Sequence, residues 1–155
     1  MVSQIEKARV FEALHKAPGC FVIPNPWDAG SARVLAGLGF KALTTTSAGY
    51  ARSLGFADYN AGREHVMAHA RELSAATDLP LAADLENGFG DAPEDCAQTI
   101  TLAAEAGLVG GSIEDASGDK SAPIYDIAHA AERIRAAAEA AKALPFKFML
   151  VGRAE

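Results

Sequence analysis

The chain has 155 residues, 50% of them apolar and 22% charged, enough for one packed domain and too apolar for a disordered segment. Its 14 basic and 20 acidic side chains leave a net charge of −6, and no run of Lys and Arg could track phosphates, which excludes nucleic acid as a partner. No apolar stretch approaches the roughly 18 to 20 residues that span a bilayer, and the N-terminus alternates charged and apolar residues instead of building a signal-peptide core, so no membrane association is expected and the expected compartment is the cytoplasm.

In chain order, periodicity predicts a leading helix over 2–15, a strand over 20–24, a helix over 29–38 and a strand over 42–46. A helix over 61–77, a strand over 81–84, a helix over 93–106 and a strand over 108–113 follow. A helix over 124–143 and a strand over 146–151 complete the series. Gly37, Gly39 and Gly107 mark the turns from helix to strand. Cys20 and Cys96 lack the spacing of a redox or zinc pair, and both are expected to be reduced and buried. His65 and His69 stand four apart on one helix, but without an H-E-x-x-H order, so that helix is expected to face solvent and hold no zinc.

The most informative stretch is Asp84-Leu85-Glu86-Asn87-Gly88-Phe89-Gly90. An apolar run, Leu79-Pro80-Leu81-Ala82-Ala83, there gives way to two carboxylates two residues apart, which in a strand project to the same side. About 30 residues later Leu108-Val109-Gly110-Gly111-Ser112-Ile113 runs into Glu114-Asp115 in the same manner. Neighbouring anions repel unless a cation sits between them. Oxygen ligands from successive strand ends suit Mg²⁺ or Mn²⁺ better than zinc, which makes Asp84, Glu86 and Glu114 the candidate metal ligands. Asp91 with Glu94 reads as a helix cap instead.

Alternating strands and helices imply a parallel sheet with right-handed crossovers, covered on both faces. Five strands fit either a flavodoxin-like sheet or the first part of an eight-stranded barrel. The barrel is preferred, because Asn25, Asp28, Ser47, Asp84, Glu86, Glu114 and Arg153 fall at the ends of nearly every strand, as a ring of βα loops demands. The chain also stops just after a strand, with no helix to cover it. The expectation is a single α/β domain over 1–155, the N-terminal part of a (β/α)₈ TIM barrel with a leading helix and about the first five strands, apparently truncated. An open half barrel exposes strand edges, so a longer natural chain or self-association is expected.

Five segments in order resemble the isocitrate lyase and phosphoenolpyruvate mutase superfamily over nearly the whole chain. They are Pro24-Asn25-Pro26-Trp27-Asp28-Ala29-Gly30-Ser31-Ala32-Arg33, Thr46-Ser47-Ala48-Gly49 with Ser53-Leu54-Gly55-Phe56-Ala57-Asp58, the Asp84 to Gly90 stretch, Ser112-Ile113-Glu114-Asp115, and Gly152-Arg153-Ala154-Glu155. The resemblance implies a Mg²⁺-dependent barrel enzyme that cleaves or forms C–C or P–C bonds beside a carboxylate in small α-keto or hydroxy acids. It implies Asp84 as the direct metal ligand, with Glu86 and Glu114 holding metal-bound waters. Ser47, Ala48 and Gly49 are implied as a backbone-amide cradle for the substrate carboxylate, and Arg153 as the cation that neutralises it. Asp58 is implied near the metal, Trp27 and Asp28 at the floor and rim beside the substrate, and a tetramer as the usual assembly, so a homo-oligomer is expected.

The loop Ala116-Ser117-Gly118-Asp119-Lys120-Ser121-Ala122-Pro123 departs from the lyases of this superfamily, which carry a lysine, a variable residue, a cysteine, a glycine and a histidine there. Ser121, with its high intrinsic pKa, does not replace a thiolate without a base beside it. The chain thus resembles the mutase-like branch, with Lys120 read as an exposed loop residue. The expected function is a Mg²⁺-dependent lyase or mutase; the alternative is a non-catalytic carboxylate-binding or interaction module.

Overall fold

A computed structural model describes residues 2–155. Helix α1 (Gln4–Lys16) is followed by α2 (Ala29–Gly37), β1 (Leu43–Thr44), α3 (Ser47–Ser53), α4 (Gly62–Ala76) and β2 (Leu81–Asp84). Then come α5 (Pro93–Glu105), β3 (Gly110–Glu114), α6 (Ile127–Ala143) and β4 (Met149–Arg153). The four strands form one parallel sheet in chain order, β1-β2-β3-β4. The α/β alternation expected from the sequence is therefore present.

Side chains alternate across the sheet because successive residues of a strand point to opposite faces. Leu43, Leu81, Ala83 and Ile113 lie in the main core with Leu73, Ile100 and Ala137 of the helices. The other face begins apolar: Ala82 and Met149 pack with Ala8 and Phe11 of α1. A Cβ at Gly110 would stand 2.8 Å from the Phe11 ring, so the missing side chain lets α1 lie close against the sheet. Further along the strands this face turns polar: Asp84 and Ser112 share a register row with Val151, and Glu114 pairs with Arg153 in a later one. The change from apolar to charged along a single face places the acids at the carboxyl ends of the strands.

Several local expectations need correction. Residues 20–24 form no strand; the Pro24 carbonyl accepts one bond from Thr44 N at 3.1 Å, and the Asn25 amide donates to the Thr44 and Thr45 carbonyls. Pro24 and Pro26 have no N–H to extend a ladder. Among the described residues the sheet thus has four paired strands, where about five were expected. Cys20 is exposed rather than buried, whereas Cys96 is buried. The segment after β1 is a short helix, α3, opened by the Thr46 hydroxyl, which accepts from Gly49 N at 3.3 Å. Asp91 and Glu94 do not cap α5; Asp95 does, accepting from Ala92 N at 3.1 Å. Helix α6 starts later than expected, at Ile127 behind an Asp126 cap, and β4 lies further along, at 149–153. No helix among the described residues is long and apolar enough to cross a membrane.

Candidate active site at the strand carboxyl ends

Asp84 ends β2 on the polar face. Its Oδ2 accepts the Ser47 hydroxyl at 2.7 Å and the Ser47 amide at 3.2 Å, while Oδ1 accepts the Glu86 amide at 3.2 Å. The first turn of α3 and the end of β2 are thereby locked together. Glu86 comes near Asp84, but not as a strand neighbour. It lies beyond the strand with φ +50, a left-handed conformation that turns the chain.

The Glu86 side chain is only 3% exposed and its Oε1 has no hydrogen-bond partner. Burial first, then the charges of Asp84, Asp58 and Glu114, push its pKa up to about 7. The Asp84, Asp58 and Glu114 carboxylates thus all disfavour the charged form of Glu86. Glu114, 4% exposed at the end of β3, accepts the Tyr59 phenol and pairs with Arg153 at 3.3 Å. Burial raises the pKa of Glu114, and burial and the Glu114 carboxylate raise that of Tyr59. Arg153, at the end of β4, also pairs with Glu155.

Among the described residues, no three His, Cys, Asp or Glu side chains are gathered tightly enough to ligate one ion unaided. Mg²⁺ needs no such cluster, since it is usually held by one or two carboxylates and completed by water or substrate. The orphaned, buried Glu86 oxygen is the feature that fits a cation, since a buried carboxylate oxygen without a partner is costly.

On the rim, Trp27 is half exposed and Asp28 caps α2, accepting from Ser31 N at 2.7 Å. A Cβ at Gly49 would come within 2.7 Å of Thr46 Cγ2 and 3.0 Å of Trp27 Nε1, so the indole packs directly on α3. The helix expected to face solvent in fact buries His69, whose Nε2–H donates to the Trp27 carbonyl at 2.9 Å and whose ring stacks on Tyr50 at 3.8 Å. Burial lowers the His69 pKa. Of the three amides expected to cradle a carboxylate, Ser47 N–H donates to Asp84 and Gly49 N–H to Thr46. In the loop after β3, the Ser121 hydroxyl and amide both donate to Asp119.

Sequence reasoning missed Tyr59, which donates to Glu114, and His69, which holds the Trp27 carbonyl, as well as Arg63 and Arg133, which donate to carbonyls of the loop that follows Glu86. His69 carried a weak signal in its spacing from His65, which was read against zinc only.

The model of the phosphoenolpyruvate phosphomutase family matches residues 11–155. A crystal structure of a candidate lyase/mutase from Burkholderia cenocepacia J2315 is 58% identical and superposes with a TM-score of 0.97, covering 98% of this chain and 55% of that one. Oxaloacetate acetylhydrolase in complex with its product oxalate is 28% identical, with a TM-score of 0.89, over 100% of this chain and 55% of that one. The 2-methylisocitrate lyase of Bacillus subtilis (strain 168) is 30% identical over 146 residues, 88% of this chain and 48% of the relative. The chain thus spans about half the length of the proteins it matches. The family match spans residues 11–155, and the chain belongs to the phosphoenolpyruvate phosphomutase family, within the isocitrate lyase and phosphoenolpyruvate mutase superfamily.

Proposed function

We propose that this chain forms the metal- and carboxylate-binding part of a Mg²⁺-dependent, or Mn²⁺-dependent, lyase or mutase. Its substrate is a small α-keto or hydroxy carboxylic acid, in which a C–C or P–C bond is cleaved or rearranged by way of an enolate. The observation that carries this reading is the buried Glu86 carboxylate, unpartnered at Oε1 and crowded by Asp84, Asp58 and Glu114. Such a group of anions is stable together only with protons or a cation among them.

Asp84 is the residue that would hold the ion directly, with Glu86 and Glu114 holding its bound waters. When bound, a divalent cation supplies Lewis-acid stabilisation of an oxyanion developing beside a carboxylate, worth several kcal/mol. The remaining tasks fall to the chain itself. Ser47 fixes the orientation of Asp84 through two donated bonds. Arg153, 49% exposed in its side chain beside Glu114, presents a guanidinium suited to a substrate carboxylate. Trp27, packed on Gly49, forms a wall against which a small acid is confined, with Asp28 at the rim. Asp58 adds negative charge near Glu86 and so favours a cation there.

The test is to titrate Mg²⁺ into the full-length protein with oxalate present, followed by calorimetry and thermal shift. Saturable heat and a raised Tm are expected; neither signal in the wild type overturns the reading. A second reading, carboxylate binding without turnover, is favoured by the absence of a thiol or imidazole from residues 116–123 and by the tying of Ser121 to Asp119. Ligand binding with no product from any keto acid or phosphonate would select it. We further place the protein in the cytoplasm as a homo-oligomer, an assembly that light scattering measures.

A further inference from the structure

We propose that Arg133 of α6 and Arg63 of α4 are positioning residues that clamp the loop after β2 in its left-handed course and so fix Glu86 before any cation arrives. Five consecutive carbonyls of this loop are held by the two guanidiniums. Arg133 donates to the carbonyls of Asn87, Gly90 and Asp91, and Arg63 to those of Gly88 and Phe89 at 3.2 and 3.4 Å. Within this stretch Glu86, Gly88 and Phe89 have φ of +50, +85 and +61. Two of the three are not glycine, and such a conformation persists only where its surroundings over-determine it.

The burial of Arg133 has no explanation in an ion pair. The residue is 1% exposed, yet among the described residues its guanidinium meets no carboxylate. Its partners are the three carbonyls and the face of Tyr125, 4.2 Å from the ring centroid. Tyr125 in turn accepts from the Asn87 amide at 2.9 Å and donates to Asp91 at 2.6 Å, bracing the same loop from the side chain. A buried cation is costly without hydrogen bonds, and those of Arg133 come from its two terminal nitrogens to the loop, its Nε having no partner, so this guanidinium and the loop course depend on each other. Arg63 acts from α4, where Asp95 and Gln98 steady it at 3.4 and 2.5 Å. A lysine has one compact ammonium and does not span such a row of carbonyls.

The consequence rests on the metal reading of Glu86 given above, but the clamp can be measured without metal. Hydrogen exchange of the full-length, metal-free protein should show at least a tenfold rise in exchange confined to residues 86–91 in Arg133→Met, with a smaller rise in Arg133→Lys. Arg63→Met, at a partly exposed position, gives the same readout should Arg133→Met fold poorly. Mg²⁺ affinity, measured below the Tm of each variant, should fall at least tenfold in both Met variants and recover partly in Arg133→Lys. A lowered Tm with unchanged loop exchange, or raised exchange with unchanged Mg²⁺ affinity, overturns the proposal. Should the wild type take up no Mg²⁺, the metal reading falls and exchange alone decides the clamp: a rise confined to 86–91 sustains it, and wild-type exchange in the Met variants overturns it.

Discussion

Ser47 gives both its hydroxyl and its amide to a single oxygen of Asp84, at 2.7 and 3.2 Å. The two residues are 37 apart in sequence and meet because β1 and β2 are parallel neighbours, so their carboxyl ends open onto the same rim. Thr45 strengthens the junction by accepting the Asp84 amide on its hydroxyl at 3.1 Å. Three donated bonds hold the Asp84 carboxylate in one orientation.

Ser47→Ala removes one of those bonds to a charged acceptor. It should cost about 1–2 kcal/mol of stability, read by urea unfolding. Mg²⁺ affinity should fall several-fold, because Asp84 regains rotational freedom. Unchanged affinity would show that the Ser47 hydroxyl does not orient the ligand.

Glu86→Gln should separate stability from binding. In the metal-free protein the Glu86 pKa is raised to about 7, so the folded state holds a proton that the unfolded state, near 4.5, has released. Wild-type stability should therefore fall as pH rises from about 4.5 through 7, and the variant should lack that part of the slope. At pH 8 the variant should be more stable than wild type by about 1–3 kcal/mol, since no unpaired buried charge remains. Its Mg²⁺ affinity should nevertheless be lower. Urea midpoints across pH, with and without Mg²⁺, measure both effects.

His69 gives the opposite sign. Burial lowers its pKa below the ordinary 6.5, so the unfolded state takes up the proton first on acidification. The stability it contributes should be complete above about pH 6.5 and should decline as pH falls toward the lowered folded value. The chain has one tryptophan, Trp27, whose carbonyl His69 holds. His69→Phe should accordingly flatten the acid limb of stability and shift Trp27 emission. An unaltered emission spectrum would disconnect the imidazole from the Trp27 loop.

Gly49→Ala would drive a methyl group into Thr46 and the Trp27 indole. Oxalate affinity in the presence of Mg²⁺ should drop at least tenfold, while Mg²⁺ binding alone should change little, because Gly49 donates to Thr46 and not to the acids. Equal losses in both measurements would indicate general damage to the rim instead of a displaced wall.

The sheet order and the acids at its rim were legible because the apolar runs at 81–84 and 108–113 end abruptly on Asp84 and on Glu114-Asp115. What could not be read was set by tertiary packing. Nothing local distinguishes Arg133 from a solvated helix arginine; its burial exists only because the loop after β2 offers it three carbonyls. His69 is buried because Tyr50 and Trp27, distant in sequence, close over it. Glu86 was expected to follow Asp84 by strand geometry, yet it arrives through a left-handed turn, which sequence spacing alone does not encode. The 20–24 segment read as a strand by its apolar pattern, yet it meets β1 through the Pro24 carbonyl, and Pro24 itself has no N–H to extend a ladder.

The most direct measurement is calorimetric titration of Mg²⁺ into the metal-free, full-length protein with oxalate present, comparing wild type with Asp84→Asn. A saturable site in the wild type, lost or weakened at least a hundredfold in the variant with its fold retained, is the predicted result. Equal binding by the two proteins would place the cation somewhere other than among Asp84, Glu86 and Glu114, and would contradict the account.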